Sequence, residues 1–424
     1  MNAEKESVGR RKPLVSVAML GARMHFAVPG ILASAGLLHT FYTDMYLGNK
    51  ALFQRIIALL PESARPKLLR QLSLRSADRI PAGQVVSFDL LGLWYLLKRR
   101  GAVAPSERAL LFAKVNRLFG DRVVREGFNG ADVVWGFNGA SLEIFQHARS
   151  RGLKCILEQS IAPRRIELEL LAEEAARWPG WQPDEYSPSA SACDPLAERE
   201  EAEWQLADKI VCGSRFVADG LAQQGVAIDK LSIVPYGVNT NHFRARNGHS
   251  ARKELNVLFV GEIGLRKGIP YLLEALKSLN RPQAVRAKLV GPLAVDPERL
   301  KHYGQWCDVV GRVSRARILE MYGWADMLVL PSICEGSATV TYEAMACGLP
   351  VVSTPNTGSL VRHGVDGFVV PIRDATALQE KIELLCDDRA LRSRMATSAR
   401  ERSKEGSLGA YGRRLLESIS FGSS

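Results

Sequence analysis

The stretch Pro331–Ser353, with the sequence PSICEGSATVTYEAMACGLPVVS, decides how this chain folds. An apolar run, Met327–Leu330, comes directly before it and predicts a short buried strand. Pro331 ends that strand, and a polar turn around Glu335 and Gly336 follows. A buried strand that leads through a polar turn into a helix is typical of an α/β fold.

The residues after the turn predict a helix over 338–347. Gly348 stands where a helix commonly ends in a left-handed conformation, and Pro350 prevents the helix from continuing. A second apolar run over 349–353 predicts the next strand. Strand, turn, helix and strand in this order predict two parallel strands, with the N-terminus of the connecting helix at the edge of the sheet.

This helix N-terminus suits a phosphate, because its first backbone N–H groups are unpaired and carry a partial positive charge. Gly336 lets a ligand approach the backbone closely. Glu335 precedes the helix, and Glu343 follows about 9 Å further along its axis. Two carboxylates beside a phosphate site suit a nucleotide sugar, which has hydroxyl groups on both sides of its diphosphate. The alternative is that Glu335 stabilises the helix dipole and Glu343 is a solvated helix residue.

A second loop of this kind follows the predicted strand Leu255–Val260. Gly261–Gly268 reads GEIGLRKG, and Pro270 opens the helix after it. Arg266 and Lys267 therefore stand beside another helix N-terminus. Two cations with backbone N–H groups suit a diphosphate, whereas a solvated basic turn is the alternative.

The run EGSATVTYEAMACGLPVV resembles the signature of the retaining glycosyltransferases of family 4, in which two Glu residues recur with the spacing of Glu335 and Glu343. The resemblance covers about residues 214–371. It includes, in the order of the family, SRFVADGLAQQG, VPYGVNTNHF, LFVGEIGLRKGIPYLLEAL and GVDGFVVP. Several motifs in the family's order are far more specific than any single motif.

The resemblance implies the α/β fold called GT-B, in which two Rossmann-like domains face each other across a cleft. We expect an acceptor-side domain over residues 1-235 and a nucleotide-sugar-binding domain over residues 236-405. The last segment, 406-424, is expected to form a helix that packs back on the first domain.

The resemblance also implies an activity, the transfer of a sugar from a nucleotide-diphosphate sugar to a hydroxyl group with retention of the anomeric configuration. The expected acceptor is a polysaccharide, a glycolipid or a lipid-linked glycan. The expected catalytic residues are Glu335, Lys267 and Arg266, of which the two cations stabilise the leaving phosphates and Glu335 holds hydroxyl groups of the donor sugar. The expected donor-binding residues are Glu343, Gly336, Ser337, Ala338, Gly21, Gly311 and Arg312.

Glu343 is expected to bind the ribose, and Gly311 and Arg312 lie where the family seats the base. The cationic side chains take the place of a metal ion. We therefore expect no metal site and no cofactor beyond the nucleotide-sugar substrate.

The first half of the chain resembles the family only loosely. A predicted strand, Leu14–Leu20, leads into Gly21 and a loop that contains His25, which the family places near the donor diphosphate and the acceptor. His25 is a candidate general base or phosphate contact, with a merely structural role as the alternative. Asn138, Gln159 and Ser160 follow two further predicted strands, where polar side chains line the crevice of an open α/β sheet, so they are acceptor-side candidates.

Two positions depart from the family pattern. Glu262 follows Gly261, where the family often has Arg, and Arg266 is a possible compensation. Gln159 and Ser160 stand where the family often has a His after the strand. These departures support a second hypothesis, a nucleotide-sugar-binding accessory or scaffold protein with little transferase activity. A third hypothesis, a nucleotide-sugar epimerase or hydrolase, would need an acid–base pair that the sequence does not indicate.

Length and composition agree with a two-domain intracellular protein. The chain has 424 residues, of which 46% are hydrophobic and 24% charged. Its seven Cys residues include no C-x-x-C pair, which favours reduced thiols over a disulfide framework or a zinc site. The sequence has no apolar run of membrane-spanning length. We expect a cytoplasmic location.

The positive charge is concentrated in one block. Lys50–Arg125 holds 15 Lys and Arg residues against 5 acids, although the net charge of the whole chain is only +11. Apolar pairs recur at helical spacing in this block, at Leu52-Phe53, Ile56-Ile57 and Leu59-Leu60. A strongly apolar stretch, Leu90–Leu97 with Trp94 and Tyr95, ends in the cations Lys98, Arg99 and Arg100. Basic amphipathic helices suit an anionic membrane surface, and a solvated basic face is the alternative. No recognition motif for nucleic acid accompanies the charge, so we expect no nucleic-acid partner.

Overall fold

The computed structural model describes residues 12–48, 50, 75–77, 79–101, 105–182, 194–244 and 254–419. These residues form two parallel sheets with helices between their strands, so the predicted α/β architecture with two sheets is confirmed. The membrane prediction for Lys50–Arg125 falls partly on residues 51–74, 78 and 102–104, which lie outside the described residues.

The first sheet has seven strands. They are β1 (Val15–Met19), β2 (Leu38–Thr43), β3 (Val85–Ser87), β4 (Val133–Phe137), β5 (Lys154–Gln159), β6 (Lys209–Cys212) and β7 (Leu231–Ile233). Their order in the sheet is β3-β2-β1-β4-β5-β6-β7. The direction of winding therefore reverses between β1 and β4, which makes the loops after these two strands neighbours.

The second sheet has six strands and the same plan. They are β8 (Leu255–Val260), β9 (Val285–Val290), β10 (Cys307–Gly311), β11 (Met327–Leu330), β12 (Val351–Ser353) and β13 (Gly367–Val369). Their order is β10-β9-β8-β11-β12-β13, so the winding reverses between β8 and β11. Met327 pairs in parallel with Val257, and Leu328 pairs in parallel with Val351, which brings the carboxyl ends of these strands to one edge.

Helices connect the strands along the chain. The described α-helices are Ala27–Ser34, Asp89–Gly101, Pro105–Glu126, Leu142–Ser150, Arg164–Arg177, Pro195–Leu206, Arg215–Gln223, Ile269–Lys277, Pro297–Lys301, Arg315–Trp324, Thr339–Ala346, Ala375–Asp387, Arg389–Arg402 and Leu408–Ser418. None of the helices in the described part of the chain is long and apolar enough to cross a membrane.

The stretch Pro331–Ser353 folds as predicted. Strand β11 is fully buried, as a parallel strand covered on both faces should be. The helix Thr339–Ala346 is terminated by Gly348, which follows the C-cap Cys347 and has a φ of +74°. The N–H of Gly348 donates to the carbonyl of Met345, and the N–H of Leu349 donates to the carbonyl of Ala344. These two bonds satisfy the last carbonyls of the helix and turn the chain into β12.

The chain divides into two compact units. The first comprises Met1–Val103, Glu107–Glu158 and Arg199–Lys209, and the second comprises Ala104–Ser106, Gln159–Glu198 and Ile210–Ser424. The last helix belongs to the second unit, where Arg414 donates to the carbonyl of Pro235 and the ring of Tyr411 packs edge to face on Tyr236.

Candidate functional site

The loops after β8 and β11 meet at one carboxylate. Oε1 of Glu335 lies 3.0 Å from Nη1 of Arg266 and also forms an ion pair with Nζ of Lys267. The carboxylate and the ammonium group of Lys267 are both buried. Residues that are almost seventy positions apart in sequence therefore form one charged cluster of two cations that share a carboxylate.

Backbone hydrogen bonds fix the two loops against each other. The N–H of Ile333 donates to the carbonyl of Arg266 over 2.9 Å, and Nη1 of Arg266 donates to the carbonyl of Cys334 over 3.2 Å. Gly268 has a φ of +67°, and a Cβ there would collide with the carbonyl of Pro331. The cluster is thus held by close backbone packing, for which glycine is required.

The two cations respond differently to burial. Burial lowers the pKa of Lys267, although Glu335 opposes this effect. For Arg266, burial also acts to lower the pKa, but the carboxylates of Glu335, Glu167 and Glu262 outweigh it and the pKa is raised. The ion pair with Glu335 therefore helps both side chains to keep their charge away from bulk water.

The helix Thr339–Ala346 starts directly beside this cluster. Ala338 is its N-cap and offers no side-chain oxygen to the first N–H groups. The N–H of Ala338 itself donates to the carbonyl of Thr357, and the carbonyl of Ala338 accepts from Thr341. The arrangement joins a helix dipole to two cations, which together can stabilise a diphosphate.

Gly336 and Ser337 shape the turn before the helix. A Cβ on Gly336 would collide with the carbonyl of Ser160, so the segment after β5 packs directly on this glycine. The hydroxyl of Ser337 accepts from the N–H of Tyr236 and lies 2.5 Å from the hydroxyl of Tyr342. Ser337 thus serves the internal packing of the turn through buried hydrogen bonds.

Glu343 lies inside the same helix and is held by Tyr322. The Tyr322 hydroxyl donates to Oε2 of Glu343 over 2.7 Å. Burial raises the pKa of Tyr322 well above its usual value, and the charge of Glu343 adds to this effect. Tyr322 thus remains a hydrogen-bond donor that orients the carboxylate, a role that the sequence did not indicate.

The predicted base-binding pair is at the same edge of the sheet. Gly311 ends β10 with a φ of +73°, and Arg312 follows it with an exposed side chain. Because β10 is parallel to the other strands, its carboxyl end lies at the edge where the loops after β8 and β11 begin.

At the first sheet, the structure brings together the loops after β1 and β4. Nη1 of Arg23 donates to Oδ1 of Asn138 over 3.2 Å, and its guanidinium lies 5.4 Å from the centre of the Phe137 ring. The N–H of Gly21 donates to Oδ1 of Asp44 over 2.8 Å. No sequence motif indicated that Arg23 and Asp44 would make these hydrogen bonds.

The loop after β1 contains an uncommon backbone conformation. Met24, His25 and Phe26 are three consecutive residues with φ values of +48°, +50° and +61°. A left-handed conformation costs an L-residue roughly 1–2 kcal/mol. Phe26 is fully buried and packs edge to face on Phe41 and Tyr46, which offsets part of this cost, while His25 is exposed.

The buried carboxyl group of Glu203 caps the start of the helix that follows β4. Glu203 accepts hydrogen bonds from the N–H groups of Gly139, Ser141 and Leu142 over 2.6, 2.7 and 3.1 Å. The first N–H groups of the helix Leu142–Ser150 are thus satisfied by an internal carboxyl group, in contrast to the start of Thr339–Ala346.

The other acceptor-side candidates are placed differently. Gln159 is buried, and its side-chain nitrogen donates to the carbonyl of Ile161 over 3.0 Å. Ser160 contributes its backbone carbonyl to the packing on Gly336. Within the described residues, no group of three or more His, Cys, Asp and Glu side chains could hold a metal ion.

The sequence of the second half of the chain is similar to those of known glycosyltransferases. Residues 242–402 match the family model described as glycosyl transferases group 1. A D-inositol 3-phosphate glycosyltransferase from Xylanimonas cellulosilytica is 31% identical over 230 residues, which are 48% of this chain and 55% of that protein. A glycogen synthase from Mycobacterium tuberculosis is 27% identical over 243 residues, 54% of this chain and 56% of that protein. The chain thus matches about half the length of these curated relatives.

Solved structures extend the similarity over nearly the whole chain. HepE from Anabaena, solved in complex with UDP, superposes with a TM-score of 0.59 at 17% identity and covers 96% of this chain and 99% of its own. Sucrose-phosphate synthase from Thermosynechococcus elongatus gives a TM-score of 0.57 at 16% identity, with 96% and 98% coverage. Residues 242–402 are therefore similar in sequence to the glycosyl transferases of group 1, and the chain as a whole has the GT-B fold.

Proposed function

We propose that this protein is a retaining glycosyltransferase that moves a sugar from a nucleoside-diphosphate sugar to a hydroxyl acceptor. The observation that carries the proposal is the cluster of Glu335, Arg266 and Lys267 beside the uncapped start of the helix Thr339–Ala346. It lies where the winding of the second sheet reverses, which is the ligand-binding position of open α/β sheets.

In the proposed reaction, the bond between the anomeric carbon and the diphosphate oxygen breaks, and its electron pair leaves with the nucleoside diphosphate. Arg266, Lys267 and the helix N-terminus stabilise the charge that develops on the phosphates. Glu335 orients the two cations and accepts from hydroxyl groups of the sugar. Glu343, held by Tyr322, accepts from the ribose, and the Gly311–Arg312 turn contacts the base.

We propose that the acceptor attacks from the face that the leaving group departs from. The acceptor oxygen forms the new bond to the anomeric carbon, and its proton passes to the departing phosphate oxygen. This route retains the configuration without a covalent nucleophile on the protein, and the cations make a metal ion unnecessary. For the acceptor we assign the loops after β1 and β4, where Arg23, His25 and Asn138 lie.

The relatives narrow the substrates to be tried first. The similar structures from Anabaena contain UDP or UDP-glucose, which makes UDP-sugars the first donors to test. The names of the sequence relatives point to an inositol phosphate or a glucan as acceptor. We propose a glycan or glycolipid acceptor and a cytoplasmic, membrane-peripheral location.

One observation favours a second candidate, a nucleotide-sugar-binding accessory protein with little transfer activity. Gln159 stands where the family often has a His, and its side chain is buried and bonded to Ile161. An amide is not basic, so Gln159 cannot take a proton from a substrate hydroxyl as an imidazole would. Both candidate functions predict that the protein binds a nucleotide sugar, but only the transferase predicts turnover of it.

The test is the substitution Glu335→Gln. The amide removes the negative charge between Arg266 and Lys267 with little change in shape, so we expect transfer to fall by roughly 10²–10³. Release of nucleoside diphosphate from UDP-sugars, with inositol phosphate, glucan and glycolipid acceptors, measures the rate. Lys267→Gln should produce a loss of similar size.

The matched control is Glu298→Gln, which removes an exposed carboxylate that pairs with Lys301 on the same short helix. This variant should keep the wild-type rate. A near wild-type rate in Glu335→Gln would contradict the proposed transferase site. Donor binding without turnover in the wild-type protein would favour the accessory role.

A further inference from the structure

We propose that the outer faces of the helices Asp89–Gly101 and Pro105–Glu126 form a docking surface for an anionic lipid membrane. The inference rests on the peripheral location included in the proposed function and assigns that location to particular side chains. It starts from four leucines that a packed domain would normally bury.

These leucines are well exposed. Leu90, Leu93 and Leu97 are 82%, 43% and 57% exposed, and Leu110 on the second helix is 66% exposed. The first three follow each other at intervals of three and four residues, so they share one face of their helix over about 10 Å. Together the four residues form what we call the leucine face.

The opposite side of the first helix already packs on its own unit. Leu91 is buried, and a Cβ on Gly92 would approach the carbonyl of Asp44 to 2.7 Å. Because the inner side of this helix is occupied in this way, the leucine face is not the side that anchors it to the sheet.

The second helix lies beside the first. Phe88, directly before the first helix, packs edge to face on Phe119 with 5.9 Å between ring centres. Nζ of Lys114 lies 5.8 Å from the centre of the Trp94 ring. Leu110 and Lys114 are one turn apart, so Leu110 belongs to the same side of the helix pair as the cation above Trp94.

The charge around the leucines identifies the partner. Among the described residues of the two helices, the exposed cations are Lys98, Arg99, Arg108, Lys114, Arg117 and Arg125, against the exposed acids Glu107 and Glu126. Lys98 and Arg99 follow Leu97 directly, as expected of side chains that reach headgroup phosphates while leucines enter the acyl boundary. A second copy of this chain would bring like charges together, which disfavours self-association.

Nucleic acid is a poorer match than a membrane. Phosphate backbones bind cations, but protruding leucines contribute nothing to that contact, and the aromatic residues of the first helix, Trp94 and Tyr95, are only partly exposed. An anionic bilayer uses both the leucines and the cations. The partner class is therefore a lipid surface with negatively charged headgroups.

The experiment is co-flotation of the full chain with vesicles of phosphatidylcholine alone or mixed with phosphatidylglycerol. The wild-type protein should float with the anionic vesicles and much less with the neutral ones, and added salt should weaken the binding. The triple variant Leu90→Gln, Leu93→Gln and Leu97→Gln should bind at least about tenfold more weakly. Removal of Lys98 and Arg99 should weaken binding about fivefold per cation.

Two matched controls test the position of the surface. Ile228→Gln removes an apolar side chain that is 77% exposed elsewhere, and Lys301→Gln removes an exposed cation elsewhere. Neither should change flotation. Equal binding of all variants, or equal binding to both vesicle types, would overturn the inference, as would leucine-dependent dimerisation without vesicle binding.

Failure of this inference can be distinguished from failure of the proposed function. Stabilisation by a nucleoside diphosphate is measured without vesicles, so it tests the donor site alone. Donor binding without flotation would leave the transferase proposal standing and reject the membrane surface. Unchanged thermal unfolding of the triple variant would show that its loss of flotation is not a loss of fold.

Discussion

At the scale of the residue, Glu203 is a fully buried carboxyl group whose pKa depends on its immediate neighbours. Three backbone N–H groups bind its carboxylate, and Arg199, which bridges it to Glu143, lies 3.8 Å away. Burial raises the pKa of Glu203 to about 8 from 4.5, although the N–H donors lower it. Between these two values the folded protein holds a proton that the unfolded chain has released.

We therefore predict that the free energy of unfolding loses the contribution of Glu203 as pH rises from about 4.5 to about 8, by up to about 1.4 kcal/mol per pH unit. Glu203→Gln does not titrate, so its unfolding free energy should lack this decline. Urea unfolding at several pH values measures the difference between the two proteins. Glu298→Gln, which alters an exposed carboxylate, should follow the wild-type curve, and parallel curves for Glu203→Gln would contradict the prediction.

At the scale of the element, the turn before the helix Thr339–Ala346 depends on close backbone approach. Gly336 faces the carbonyl of Ser160 without room for a Cβ. Because backbone atoms on both sides would have to move, we predict that Gly336→Ala destabilises the protein by about 1–3 kcal/mol and reduces transfer. Thermal unfolding together with the transfer assay tests both effects.

The control for this substitution is Gly409→Ala in the last helix, where a Cβ would meet no atom within 4 Å. Alanine is the better helix former, so this variant should be as stable as the wild-type protein or more stable. If Gly336→Ala were equally harmless, the turn would be less constrained than its contacts indicate.

Elements with a strong local pattern could be predicted from the sequence. Strands Leu255–Val260 and Met327–Leu330 have the predicted bounds, because strands buried on both faces are continuous apolar runs. The helix after Gly336 was predicted from its turn, its glycine end and its proline stop. The helix Pro105–Glu126 was not predicted, since its apolar residues are interrupted by cations that indicated only an amphipathic block.

The candidate site was predictable only in part. The family resemblance singled out Glu335 and Lys267, but their shared ion pair depends on β8 and β11 becoming neighbours in the sheet. Tyr322, Arg23 and Glu203 act through contacts with residues between 21 and 115 positions away. Such contacts arise from topology and leave no local pattern in the sequence.

At the scale of the whole molecule, the prediction concerns ligand-dependent stability. A ligand that binds only the folded chain stabilises it by about 2.7 kcal/mol at a hundredfold excess over its Kd. We expect UDP, GDP or ADP, or the corresponding sugars, to raise the thermal midpoint without added metal. The base that gives the largest shift identifies the donor series.

Glu335→Gln should retain part of this stabilisation, because Arg266 and Lys267 still face the diphosphate, whereas Lys267→Gln should lose more of it. An absence of any shift with all three nucleoside diphosphates would argue against a donor site in the second sheet. A shift that required a divalent cation would contradict the proposal that the two cations replace a metal.

The left-handed turn at Met24, His25 and Phe26 has a consequence for protein engineering. Glycine adopts this conformation without penalty, so replacing the exposed His25 by glycine is the obvious route to a more heat-tolerant protein. The same exchange would remove the imidazole from the loop to which we assign the acceptor. The substitution that favours thermal stability at position 25 therefore removes a candidate acceptor-side group. Variants selected for heat tolerance alone would lose the side chain whose role in acceptor binding most needs to be tested.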